Sequence, residues 1–154
     1  MQRSYAAGRS TRRAKGKTMT APAVELQRAI FEAVNGDPHL SAALGDARLF
    51  DHAPENVAFP HMTFGRTSVY DWATGMENDA EQLLTLHVWS KSEASKETND
   101  IMDLVSTRLR DTALSLGEHR RAYLKLEFAE ARYDEDLSAH HGLLRFRAVI
   151  KDEG

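Results

Sequence analysis

The sequence predicts an α+β fold: one two-layer domain, an antiparallel or mixed sheet of about four strands with two main helices packed on one face. Three observations predict it. Two segments space their apolar residues three and four apart, as one face of a helix does. Three segments alternate side chains with period two, as strands do. The order is helix, short extended pieces, strand, helix, strand, strand, which stacks helices on a largely antiparallel sheet.

The first helix is expected from about Pro22 to Val34. Ala23, Leu26, Ile30, Ala33 and Val34 share one face, and Val24 and Phe31 widen the stripe. Pro22 suits a first turn, and Asn35-Gly36-Asp37-Pro38 stops the helix. His39 to Leu44 forms one further short turn closed by Gly45, and Ala47 to Phe50 a small strand. Asp51 to Asn56 is a loop. Val57 to Phe64 is extended, but Pro60 lacks a donor and keeps the segment from a central position. Gly65 to Asp79, with Tyr70 and Trp72, reads as a loop or distorted hairpin.

The clearest strand is about Gln82 to Trp89. Leu84, Leu86 and Val88 fall on one face, and Leu83, Thr85, His87 and Trp89 on the other. One face suits a core. The other is far from polar and needs cover from a loop, a helix or another subunit. A helix follows from about Lys96 to Leu114, with Ile101, Leu104, Val105, Leu109 and Thr112 buried. Ala122, Leu124, Leu126 and Phe128 then alternate with Tyr123, Lys125 and Glu127, in a strand that extends toward Tyr133 with a bulge near Ala129. Leu144, Phe146, Ala148 and Ile150 alternate with Leu143, Arg145, Arg147 and Val149, and these two strands form an antiparallel pair. Lys151 to Gly154 is a tail.

A chain of 154 residues suffices for one domain, which buries roughly two-thirds of its unfolded surface. The absence of cysteine excludes disulfides and thiolate chemistry. No apolar run reaches the ~18 residues of a membrane span. The charge is uneven. Residues 1–20 carry six bases and no acid, so the net charge of −3 divides into +6 there and −9 over residues 21–154. This arm is expected to be disordered, and Met19 offers an alternative start to a domain spanning 21–150. A basic arm suits an acidic partner or nucleic acid; the acidic body does not look like a nucleic-acid surface.

No catalytic constellation is legible. The seven histidines lack zinc-ligand spacing. The serines sit in no Gly-x-Ser-x-Gly. The glycines form neither a phosphate loop nor a dinucleotide fingerprint, and the acids of Asp134-Glu135-Asp136 match no calcium loop. No catalytic, cofactor or metal residue is assigned, and no enzyme activity is expected. The residues singled out are subunit-interface candidates: Trp72 and Tyr70 in the long connection, His87 and Trp89 on the second strand face, and Arg145 and Arg147 on the last strand. Arg145 and Arg147 can also pair with Glu127 across the sheet. The competing reading, a small enzyme or ligand-binding domain, needs a cleft gathering groups such as His87, Arg145 and Asp136.

From about Ala23 to Ile150 the chain resembles the small tail-completion or tail-terminator proteins of long-tailed bacteriophages and gene transfer agents, closest to a domain-of-unknown-function group whose members occur in tail gene clusters. The residues that carry the resemblance are Leu26, Ile30 and the Asp37-Pro38 break, Phe59-Pro60-His61 through Phe64-Gly65, Leu84-Thr85-Leu86-His87-Val88-Trp89-Ser90 with the helix after it, and Gly142 to Ala148. The resemblance implies a structural protein and no catalytic motif. It implies a homo-oligomer, a hexameric ring on the head-proximal end of the tail tube, between the tube protein and a head-side connector or stopper. DNA would pass through the lumen without sequence readout. The setting implied is the bacterial cytoplasm during assembly, then the particle neck. Another neck or head-tail joining role is the nearest alternative.

Overall fold

The computed structural model describes residues 21–45, 49–70, 80–110, 113–117 and 119–152. The basic arm therefore lies outside the described residues, as does Trp72. Three helices and six strands are seen: α1 (Ala21–Asn35), α2 (Pro38–Leu44), β1 (Leu49–Phe50), β2 (His61–Tyr70), β3 (Ala80–Ser90), α3 (Lys96–Arg110), β4 (Leu114–Ser115), β5 (Arg120–Asp134) and β6 (Ala139–Asp152).

In α1 the face of Ala23, Leu26, Ile30, Ala33 and Val34 is buried. Val24 and Phe31 do not widen it; they are 50% and 43% exposed. The short turn expected after Asp37 is a true helix. Asp37 caps it, its Oδ1 accepting from the Leu40 N–H at 3.0 Å, and Pro38 occupies the first turn where no N–H is needed. Gly45, with φ of 65°, ends it in a conformation that disfavours a side chain. In α3, Ile101, Met102, Val105 and Leu109 are buried with Thr98 and Ser106. Glu97 in its first turn and Arg108 and Arg110 in its last complement the helix dipole.

The strands form one mixed sheet in the order β1-β2-β3-β6-β5-β4. Among the described residues only β1 and β2 run parallel; the other neighbours are antiparallel. The two main helices expected are α1 and α3, with α2 a short third, while the expected count of about four strands rises to six among the described residues. Of the two-residue strands, β1 falls within the small strand expected over Ala47 to Phe50, whereas β4 is additional, too short to show a period. Leu114, expected as the helix end, is the first residue of β4. Strand β2 begins at His61, after Pro60, and continues to Tyr70 through a stretch expected to be a loop. The register shift between Phe64 and Thr67 explains this, because one extra residue inverts the alternation. The irregularity in β5 lies between Leu126 and Phe128, ahead of the expected Ala129. Lys151 and Asp152 still pair, within β6.

The core lies between the helices and one sheet face. Met62, Leu84, Leu86, Val88, Leu144, Phe146, Ala148 and Ile150 point into it, against Leu26, Ile30, Ile101, Val105 and Leu109. Gly142 sets the approach of α3 to β6. A Cβ there would stand 2.5 Å from Met102 Sδ and 2.9 Å from Thr98 Cγ2, well inside contact distance.

Candidate functional site

The alternation that buries one face of β3 exposes the other. Leu83, Thr85, His87 and Trp89 are all half-buried, with no helix of the described residues over them. The register sets Leu143, Arg145, Arg147 and Val149 of β6 beside them, and Tyr123, Lys125, Phe128 and Glu130 of β5 beyond. Four of the six interface candidates, His87, Trp89, Arg145 and Arg147, share this uncovered face. Tyr70 ends β2 opposite Glu81.

Two clusters order the face. At one end, His87 Nδ1 and His141 Nε2 lie 2.7 Å apart, and the His141 ring stacks on Trp89 at 4.0 Å and 1°. Trp89 Nε1–H donates to Thr63 Oγ1 at 3.3 Å. Gly65 makes room, since a Cβ there would meet His87 Nε2 at 2.5 Å. A hydrogen bond between two imidazoles needs one donor and one acceptor nitrogen, so the pair is held together when at least one ring is neutral. Burial lowers the pKa of His87, and His141 lowers it further. Burial also lowers that of His141, helped by Arg132 and opposed by Asp134 and Glu130.

At the middle of the face, Arg147 bridges two strands. Its Nε donates to Glu127 Oε2 at 2.5 Å and its Nη1 to Glu81 Oε1 at 2.6 Å. The pairing of Arg147 with Glu127 is the one the strand pattern suggests; Glu81 is a second partner, supplied by β3. Arg145 does not pair with Glu127 but lies over the Phe128 ring at 5.2 Å, and Lys151 lies over Tyr123 at 5.9 Å. Tyr123 and Phe128 remain 42% and 41% exposed.

Charge is segregated between the faces. The register puts Arg121, Lys125, Arg132, Arg145, Arg147 and Lys151 on the uncovered side with Glu81, Glu130 and Asp134, and the bulge residue Glu127 joins them by its bond with Arg147. This face is net positive in a body of net −9. His141, Thr63 and Arg132 were not singled out from the sequence. His87 and His141 are separated by 54 positions, and only the β3–β6 register brings them together.

The strand-to-helix elbow ties this face to the helices. Ser90 Oγ donates to Glu97 Oε1 at 2.5 Å and accepts from the Ser92 N–H at 3.1 Å. On the helical side, a shallow groove between α3 and β5 is lined by Asn99, Met102, Asp103, Leu126 and Ala129, among others. It gathers none of His87, Arg145 or Asp136, the groups the ligand-binding alternative requires. Among the described residues no three His, Asp or Glu side chains converge as metal ligands, and no helix is long and apolar enough to cross a membrane.

Comparison with known proteins first defines the class: a structural protein of the tail end of phage-like particles. The chain belongs to the family of tail completion protein gp17, whose family model matches residues 28–151. Among curated proteins none matches the chain. Among solved structures, a chain in the virion of a native gene transfer agent particle shares the fold with a TM-score of 0.74 and 24% identity, over 88% of this chain and 100% of that one. The gp17 protein of bacteriophage SPP1 matches with a TM-score of 0.58 and 21% identity, over 85% of this chain and 92% of that one.

Proposed function

We propose that copies of this chain close into a ring, six in number, at the head-proximal end of a tail tube. One side of the ring ends the tube and the other receives a head-side connector, with DNA passing through the lumen. The protein assembles in the bacterial cytoplasm and then resides in the particle neck, without an enzymatic role. The observation that carries this reading is the family match over residues 28–151, on a domain whose second sheet face is half-apolar and uncovered. Identical subunits joined head to tail close a ring when their rotation closes. Within it His87, Trp89, Arg145 and Arg147 supply contacts from the open face, while Tyr70 and Trp72 supply them from the end of β2 and the connection after it.

Cryo-electron microscopy of intact particles carrying a label on this protein tests the reading. Label at the head-tail junction is expected, and label elsewhere on the particle, or none, overturns it. Trp72→Ala is expected to block attachment of tails while leaving the monomer folded by circular dichroism. Loss of the fold would refute a docking role for Trp72.

A further inference from the structure

Among the described residues, the two outer edges of the sheet are covered only at their corners. β4 pairs with β5 only at Arg121 and Ala122. From Leu124 to Asp134 no strand pairs with the outer edge of β5 among the described residues. β1 pairs with β2 only at Met62 and Thr63. From Phe64 to Tyr70 the outer edge of β2 is likewise without a strand among the described residues. Long unpaired edges present rows of N–H and C=O groups that template another strand, and proteins normally blunt them with prolines, very short strands, charges or bulges; here β2 carries one bulge with Arg66, and β5 carries Glu130 and Arg132. Neither stretch contains a proline. The far half of β5 is also exposed on both faces, from Glu127 to Tyr133.

We propose that the β5 edge of one copy adds to the β2 edge of the next, antiparallel, so that the sheet runs on from subunit to subunit around the ring. This rests on the ring reading above and names the surfaces that build it.

Three features favour a second copy as the occupant, joined head to tail. The edges have matching direction, since β2 and β5 run oppositely in the sheet and adding β2 beyond β5 continues the alternation. Their charges are complementary. From Phe128 to Ser138 the hairpin carries four acids against Arg132, whereas the free stretch of β2 carries Arg66 alone. A standard interface also covers about 800 Å² on each partner, more than a backbone ladder supplies. Phe128, Tyr133 and Leu137, 41%, 52% and 53% exposed, provide apolar area on the incoming hairpin.

The corner strands then set the register. Phe64, Leu86, Leu144 and Ala129 share one row across the sheet. Laid level, a neighbour's β5 would run Glu130 and Ala131 into the slot that β1 fills beside Met62 and Thr63. Sliding β5 until its turn meets β1 brings Asp134 beside Phe64. That is a stagger of about five residues, or ~17 Å at ~3.4 Å per residue. A repeated stagger in a closed sheet tilts the strands against the ring axis.

The natural chain has no cysteine, so introduced thiols report without background. In cells assembling the particle, full-length protein carrying Thr67→Cys together with Glu130→Cys, Ala131→Cys or Arg132→Cys is oxidised and run on non-reducing gels, and purified particles are blotted for the protein. A ladder rising from dimer to a closed species, strongest for T67C/R132C because the β2 bulge puts Thr67 two rows from Phe64, and absent for each single variant, is expected. Dimers from a single β5 variant would show two-fold pairing and overturn the proposal. Protein present in particles with no ladder from any pair overturns it too, while leaving the ring reading standing. Protein absent from particles sinks both.

Discussion

Substituting Gly142 by alanine tests how the helix layer seats on the sheet. The residue is not in a positive-φ conformation, so alanine is allowed there and stiffens the unfolded chain, a gain of about 0.4–1 kcal/mol. Against this stands the collision of the new Cβ, 2.5 Å from Met102 Sδ, 3.1 Å from Met102 Cγ and 2.9 Å from Thr98 Cγ2. The methionine is flexible and can turn away. Thr98 is fully buried and β-branched, so it resists, and α3 must lift. Overpacking of this kind costs about 1–3 kcal/mol, which outweighs the gain. With ~2 kcal/mol for the overpacking and ~0.7 for the gain, about 1.3 kcal/mol is lost; at about 2–4 °C per kcal/mol for a chain of this size, Gly142→Ala is expected to lower the melting temperature by roughly 3–5 °C in a circular-dichroism melt. Thr98→Ser removes the stiff methyl, so the double variant should lose less than the two singles summed, by at least ~0.5 kcal/mol. A Gly142→Ala protein as stable as the parent, or strict additivity with Thr98→Ser, refutes the account.

Acid is expected to weaken the fold through histidine. His61, His87 and His141 all have pKa values lowered by burial, so the unfolded chain binds more protons just below ~6.5. Their contribution is complete above that value and is lost as pH falls toward their folded pKa values. Urea midpoints at pH 7.5 and pH 5.5 should show the drop, and His141→Gln should reduce it; an unchanged pH slope in that variant would contradict a role for the pair. At the α2 cap, Asp37→Ala is expected to cost about 0.5–2 kcal/mol, while Asp37→Asn keeps the acceptor and loses only the 3.6 Å pairing with Arg108. Equal losses in both variants by urea denaturation would assign the effect to the ion pair instead.

The long elements were legible because their burial has a period. Leu84, Leu86 and Val88 on β3, and Leu144, Phe146, Ala148 and Ile150 on β6, are buried on the face their alternation marks. What stayed hidden has a physical cause in each case. The alternation of β2 breaks at Gly65 and Arg66, where two residues oppose one. Leu114 stood at the expected end of α3, a strand of two residues has no period of its own, and only pairing with Ala122 makes it one. The α1 stripe is narrower than composition suggests because α2 and α3 cover just part of it, leaving Val24 and Phe31 outside. On the open face the pattern identified the residue types but not their partners. Arg147 with Glu127 follows from neighbouring strands, whereas Arg147 with Glu81 and His87 with His141 need the register between segments more than fifty positions apart.

The Ser90 elbow bears on how the molecule carries load. Trp89 faces the open side, the next residue anchors to Glu97 in the first turn of α3, and Thr98, one position on, is wedged against Gly142. A pull on the tryptophan is therefore delivered to the helix within two residues and returned to the neighbouring strand through the wedge. Sheet and helices resist shear as one plate, so a neighbour gripping the bare side holds the whole subunit rather than peeling off a single strand.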